Sequence, residues 1–312
     1  MKKLIRTLCS ILLCFCILCN HPLTVLAEKE SMSETKGFTK TKFAYTSALE
    51  DAVFPDEETE QAVMNSMTSK EYTDYLYHEA VNFFSTTKID LDWDHILCVG
   101  DSITLGVQTG IEEPYPINYP EILGTLFRTT VDNEGIGGST IWSGGPSPMC
   151  RQVTDYNLAD AVFILGGTND WFYGSQCKLG DLNSPNTFTY DFNLLCENLA
   201  ERYSHAEIFF IIPMDPAKHM GVELYDDFEL IRNVERNIAA GYGFHIIDLP
   251  AKKILSALDP ATRDTYYSDH CHPNTQGYEI LGKIIAYEAI KEMFAKPQPI
   301  FPGLRKLQDP IS

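Results

Sequence analysis

From Trp93 onward the chain alternates short apolar runs with helix-length amphipathic segments. The runs are Ile96 to Val99, a weaker one ending at Val131, Ala161 to Leu165, Ile208 to Ile212 and His245 to Leu249. Between and after them apolar residues recur at helical spacing around Pro120 to Phe127, Tyr190 to Tyr203, Phe228 to Ala240 and Thr275 to Phe294. Strands that alternate with helices in this way predict a parallel sheet covered by helices on both faces. Roughly 200 residues of the pattern make one domain of ordinary size.

Upstream the pattern differs. Lys2, Lys3 and Arg6 precede the apolar stretch Leu8 to Cys19, and Val25-Leu26-Ala27 places small residues before a cleavage point, so residues 1–27 read as a signal peptide that leaves the mature protein. The apolar stretch is short for a membrane span of about 20 residues, and Leu18 occupies the place where an acylated Cys19 would need a small neighbour. Residues 28–90 are polar and partly helical. Tyr72, Leu76, Ala80, Val81 and Phe84 fall at helical spacing between Glu71 and Phe84, which suggests a helix that packs on the domain following it. That domain is expected over residues 91–296, with 297–312 as a proline-containing tail.

Composition narrows the function. The chain carries 24 Lys and Arg against 43 Asp and Glu, a net charge of −19, and loss of the leader removes three further positive charges. Such a surface repels nucleic acid and anionic membrane, so neither is expected as a partner. Of nine cysteines, Cys98, Cys150, Cys177, Cys196 and Cys271 remain after the leader. They are odd in number, with no C-x-x-C, which argues against a zinc ribbon or a disulfide framework. One bridge, Cys150 to Cys177, stays open. Cys98, inside a strand, reads as an apolar filler.

In a parallel sheet the carboxyl ends of the strands gather at one edge, and ligands bind there. The polar residues after each run should therefore converge. The first run leads to Gly100-Asp101-Ser102, the second to Asn133 through Ser139, and the third to Gly166-Gly167-Thr168-Asn169-Asp170. The last helix is preceded by Asp269-His270-Cys271-His272-Pro273. Asp269 and His272 follow Ser102 by 167 and 170 residues. A serine hydroxyl is a weak nucleophile until a base takes its proton, and a histidine held by a carboxylate can do so. Each residue also has a plainer use: Ser102 as a helix cap, Asn169 as a turn residue, and Asp269 with His272 as a loop bond or, with His270, part of a metal site. Asp170 reads as a loop anchor, His270 and His205 as surface or structural residues, and Cys271 as pointing away from its neighbours.

The four blocks, in this order over about two thirds of the chain, resemble the SGNH hydrolase family, also called GDSL esterases. The matching residues are Gly100-Asp101-Ser102-Ile103-Thr104-Leu105-Gly106, Asn133-x-Gly135-x-x-Gly138, Gly167-Thr168-Asn169-Asp170 and Asp269-x-x-His272-Pro273, with Ile103 where leucine is usual. The resemblance implies a flavodoxin-like three-layer α/β/α sandwich with a parallel sheet of about five strands. It further implies Ser102 as nucleophile, His272 as base and then acid, and Asp269 as its orienting group. The backbone N–H groups of Ser102 and Gly138 and the side-chain amide of Asn169 would form the oxyanion hole. No metal or organic cofactor is implied.

Aromatic residues crowd these blocks: Tyr115, Tyr119, Trp142 and Trp171-Phe172-Tyr173. Trp142, Trp171 and Tyr173 are the candidates for a substrate wall, since flat rings suit sugars; core packing is the other use. The expectation is a secreted or extracellular serine esterase acting on short acyl esters, O-acetyl groups on carbohydrate among them. A lysophospholipase or thioesterase of the same family, and a non-catalytic carbohydrate-binding surface protein, are the alternatives.

Overall fold

All five apolar runs are strands of one parallel sheet, and the sheet's order places the site. The computed structural model describes residues 54–217 and 225–294. The expected signal peptide, residues 28–53 of the lead, and the tail at 297–312 lie outside them. Everything described belongs to one compact unit. In chain order the elements are α1 (Glu57–Asn65), α2 (Ser69–Thr86), β1 (His95–Gly100), α3 (Ser102–Leu105), α4 (Tyr119–Phe127), β2 (Thr130–Gly135), α5 (Met149–Gln152) and β3 (Ala161–Leu165). There follow α6 (Thr168–Phe172), α7 (Phe188–Arg202), β4 (Glu207–Ile212), α8 (Tyr225–Gly241), β5 (His245–Asp248), α9 (Pro260–Tyr266) and α10 (Thr275–Phe294).

The strand order is β2-β1-β3-β4-β5, with every pair parallel. This is the flavodoxin-like order, whose ligand crevice lies where the winding reverses, beyond the carboxyl ends of β1 and β3. Strand side chains alternate between two cores. Ile96, Cys98, Phe163, Leu165, Phe209 and Ile211 face the side covered by α2, α4 and α10. Leu97, Val99, Val162, Ile164, Phe210 and Ile212 face the side of α5 and α7. Both faces are buried, so the central strands are continuously apolar rather than alternating.

One strand differs from expectation. The apolar run ending at Val131 is only the start of β2, which continues through Asp132, Asn133 and Glu134 to Gly135. It is an edge strand with one neighbour, β1, and its residues from Val131 onward are half-buried. An edge strand needs no unbroken apolar run, so hydrophobicity alone cuts it short.

The N-terminal lead is part of this core from residue 54. A capping box of Thr68 and Glu71 starts α2, which buries Tyr72, Leu76 and Ala80 in the same cluster as Ile280, Ile284 and Ile285 of α10. Polar contacts fasten it as well: Ser69 Oγ donates to the Lys253 carbonyl at 2.7 Å, and Leu255 N–H donates to Thr73 Oγ1 at 3.0 Å. Leu76 is 3 % exposed, so Leu76→Ala should lower stability by about 2–5 kcal/mol. Urea unfolding checks this; a loss within the surface range of about 0.5 kcal/mol would make α2 peripheral.

Candidate active site

The first strand stops at Gly100 because the chain turns there into α3, a single turn that ends in the left-handed Gly106, φ 100°. Asp101, not Ser102, caps this helix: its Oδ1 accepts the Ile103 N–H at 2.9 Å. Ser102 is thereby released from the plainer capping use. The helix lies hard against the sheet edge. A Cβ on Gly135 would stand 2.2 Å from Leu105 N, and one on Gly100 would stand 2.0 Å from Thr104 Oγ1. Only glycine lets the serine turn come so close.

Ser102 Oγ is 2.9 Å from His272 Nε2, and His272 Nδ1 is 2.8 Å from Asp269 Oδ2. The fold has thus joined the carboxyl edge of β1 to the loop before α10. Asp269 is saturated with donors. Its Oδ1 accepts the N–H groups of Cys271 and His272 at 2.6 and 2.7 Å, and its Oδ2 accepts the Thr109 hydroxyl at 2.5 Å. Partial burial alone would raise this carboxyl. Hydrogen bonds from the His272 ring and backbone, Thr109 and Cys271 outweigh it and hold Asp269 well below the usual carboxylate range. Thr109 has no motif around it, so only the folded contact reveals it.

Two further loops complete the edge. After β2, Ile136 N–H donates to the Gly100 carbonyl at 3.0 Å, and the chain passes through Gly138, left-handed at φ 77°. After β3, Asn169 on α6 donates from Nδ2 to the Ser139 carbonyl at 2.9 Å. That bond ties the Gly138 loop to the Asn169 turn and orients the second amide hydrogen. Asp170 anchors the same loop, accepting the N–H groups of Ile141 and Trp142 at 2.9 and 2.7 Å. Burial raises Asp170 to about 6 despite those bonds.

A cavity of about 420 Å³ opens beside the serine. Asp101, Ser102, Asn169, Asp269 and His272 line it, together with Ile103, Thr168, Phe172, His270 and Cys271. His270 is exposed on its rim, and its backbone carbonyl accepts the Ala217 N–H at 2.7 Å. Cys271 is also among the lining residues. Burial, with the charges of Asp101 and Asp269, pushes its thiol up, so it stays protonated and is a poor nucleophile. Among the described residues no cluster of three His, Cys, Asp or Glu side chains is placed to hold a metal ion.

The proposed aromatic wall is not where the sequence put it. Trp171 is 2 % exposed and stacks on Phe228 with ring centroids 5.0 Å apart, deep in the core. On α6 it lies two residues past Asn169, over half a turn round the helix, and so points inward while Asn169 and Phe172 face the cavity. Trp142 and Tyr173 are half-buried and pair edge to face at 6.0 Å, with the indole N–H donating to the Asn186 carbonyl at 2.9 Å. Neither lines the cavity. Tyr119 is buried and shares a hydrogen bond with Thr104 at 3.0 Å. Cys150 and Cys177 are unbonded: Cys150 is packed in the core, whereas the Cys177 thiol lies 3.9 Å from Asp170 Oδ1.

The sequence pattern of the GDSL-like lipase/acylhydrolase family matches residues 98–280. The chain belongs to this family. Two solved structures agree on the fold. One crystal structure, 26% identical, superposes with a TM-score of 0.56 and covers 62% of this chain and 94% of its own. A Lactobacillus plantarum protein, 24% identical, gives 0.55 and covers 64% and 97%. A lipase/acylhydrolase from Enterococcus faecalis is 22% identical with a TM-score of 0.47, covering 66% and 99%. No curated protein matches the chain. In this GDSL-family hydrolase, the serine and glycine blocks lie on the edge that the strand order makes the ligand crevice.

Asp101 carries a consequence for stability. Burial raises its carboxyl to about 7, with the Ile103 N–H and His272 opposing and Asp170 adding to the rise. The native state therefore keeps a proton that the unfolded chain releases near 3.8, so this contribution to stability is full below that pH and is lost as pH rises through about 7. Asp101→Asn removes the titration but keeps an acceptor for Ile103. Its melting temperature relative to wild type should rise between about pH 4 and pH 7 and level off above. A difference independent of pH would show that Asp101 ionises as an ordinary aspartate.

Proposed function

We propose that this GDSL-family protein is an exported serine esterase that hydrolyses short-chain acyl esters, O-acetyl groups on carbohydrate among them, through an acyl-serine intermediate. The observation that carries the reading is the continuous hydrogen-bonded line from Ser102 Oγ through both nitrogens of His272 to Asp269. In this mechanism His272 Nε2 takes the Ser102 proton as Oγ attacks the ester carbonyl, and Asp269 stabilises the imidazolium. The tetrahedral intermediate collapses to acyl-serine, and His272 returns the proton to the departing alcohol. Water then attacks, again giving its proton to His272, and the acid leaves as Ser102 is restored.

The negative oxygen of each tetrahedral intermediate needs fixed donors. Ser102 N–H at the start of α3, Gly138 N–H in its left-handed turn, and the Asn169 amide hydrogen not bonded to Ser139, which rests in a long contact of 3.5 Å with Asp101 Oδ2, supply them. Asn169 is neutral, so it lends no charge to the ground state. Asn169→Ala should lower kcat by about 10²–10³ with a much smaller change in KM, because an oxyanion donor acts mainly in the transition state. A raised KM at unchanged kcat would remove Asn169 from the oxyanion hole.

The described lining of the cavity favours a small acyl group. Ile103, Phe172 and Cys271 are its apolar members, too few to wrap a long chain, whereas Asn169 and the exposed His270 suit a polar alcohol portion. The basic, apolar and small-residue sequence of 1–27 supports export, and the acidic charge supports a neutral polysaccharide rather than an anionic surface as the carrier of the ester. Among the described residues no helix is long and apolar enough to cross a membrane. Hydrolysis of p-nitrophenyl esters from acetate to palmitate should be fastest at the short end, and Ser102→Ala should abolish both turnover and fluorophosphonate labelling while remaining folded. A palmitate optimum would favour a lipase-type activity, and turnover by folded Ser102→Ala would refute the mechanism.

A further inference from the structure

The segment that leaves the serine turn returns to the loop bearing Asp269 and His272. Val107 N–H donates to the Ser102 carbonyl at 3.0 Å, which keeps it on α3. The Val107 carbonyl accepts the Tyr278 hydroxyl at 3.0 Å, and Gln108 Oε1 accepts the Thr275 hydroxyl at 2.9 Å. Residue by residue the strap is thus stapled to the start of α10. Its last member, Thr109, donates its backbone N–H to Ser268 Oγ at 3.0 Å, and Ser268 in turn donates from Oγ to the His272 carbonyl at 3.0 Å. The Thr109 hydroxyl then reaches Asp269 Oδ2, the same oxygen that faces His272 Nδ1.

We infer that Thr109 is a positioning residue for the hydrolytic reaction, fixing the Asp269 carboxylate against His272 from the nucleophile's own side of the chain. The two oxygens of Asp269 are held by different parts of the protein. Oδ1 is gripped by N–H groups of its own loop. Oδ2 has one lone-pair direction for the histidine, and Thr109 occupies the other. A charged acceptor with all its directions filled is less free to rotate or to draw in competing water, and hydrogen bonds to charged groups are the stronger ones. Thr109 is exposed and buries little apolar surface, so its hydroxyl has small weight in folding. The line from Ser102 to Asp269 thereby closes into a ring: through His272 by the reacting atoms, and through residues 103–109 by the strap.

The proposal rests on the Ser102–His272–Asp269 reading, and the experiment separates the two. Wild type, Thr109→Val and Thr109→Ser are compared for kcat and KM on p-nitrophenyl acetate and for the rate of fluorophosphonate labelling at Ser102, with melting temperatures alongside. Valine matches the shape and lacks the donor; serine keeps it. Thr109→Val should lower kcat and the labelling rate by about tenfold, the low end for a hydrogen bond to a charged group at an exposed position, with KM within about twofold. Thr109→Ser should recover to within about threefold of wild type, which a purely steric role would not allow. A valine variant with kcat and labelling within twofold of wild type, or a serine variant as impaired as valine, overturns the assignment of Thr109 alone. A wild-type enzyme that the probe does not label at Ser102 overturns the nucleophile and the proposal with it.

Discussion

The register of three adjacent parallel strands governs the rest of the molecule. Gly100 at the end of β1 stands level with Gly135 on β2 and with Leu165 on β3. Three chains therefore leave the sheet at one height, and the loops that follow carry Ser102, Gly138 and Asn169. The approach of α3 to this edge tolerates no side chain at Gly100 or Gly135. Had the register slipped by one residue, the strand faces would exchange their cores and the serine turn would lose its seat. The glycine pair thus belongs to packing and to chemistry together: it brings the hydroxyl low enough over the sheet to meet a histidine from the far end of the chain.

Burial of acidic groups is the second theme of the site. Asp101 and Asp170 are both fully enclosed, and burial pushes each up. What they do is local. Asp101 caps the serine helix, and Asp170 holds the Ile141 and Trp142 amides of the glycine loop. Asp269 is the contrast, half open to solvent and ringed by four donors. One site thus holds carboxyls tuned in opposite directions, the enclosed pair bracing loops and the donor-rich one paired with an imidazole. Glu235 extends the enclosed set: it is fully buried, burial raises it well above the ordinary range, and it fills the space beside left-handed Gly167, so that a side chain at 167 would strike it.

The helices before the sheet tie the structure together from the opposite end. Lys252, beyond β5, pairs with Glu60 of α1 at 3.1 Å and with Glu288 of α10, while Lys291 also reaches Glu60. A buried ion pair contributes less to net stability than its count suggests, since both charges lose water. Its effect here is on arrangement. It sets α1 against the end of β5 and the last helix, whose N-terminal end carries the Tyr278 and Thr275 bonds to the serine strap.

Much of this was legible along the chain because the relevant signals are local. Buried parallel strands must be apolar without interruption, so Ile96–Val99 and Ala161–Leu165 stand out; β2 did not, because an edge strand can be built from Asp132, Asn133 and Glu134. The four motif blocks and their order pointed to the family, since each block is a short segment whose glycines or polar groups are set within a few residues. What escaped was everything that depends on which way a side chain turns after the backbone is folded. Trp171 and Phe172 are neighbours in sequence, yet α6 sends the first into the core and the second to the cavity. Thr109 looks like any loop threonine until the strap lays it on Asp269. A bridge from Cys150 to Cys177 stayed open along the chain, but in the fold both thiols are free, the one packed in the core and the other against Asp170. Periodicity and turn chemistry are properties of short stretches and can be read from them. Contacts between residues more than a hundred positions apart exist only once the sheet has set its edge, and they decided which groups surround the serine.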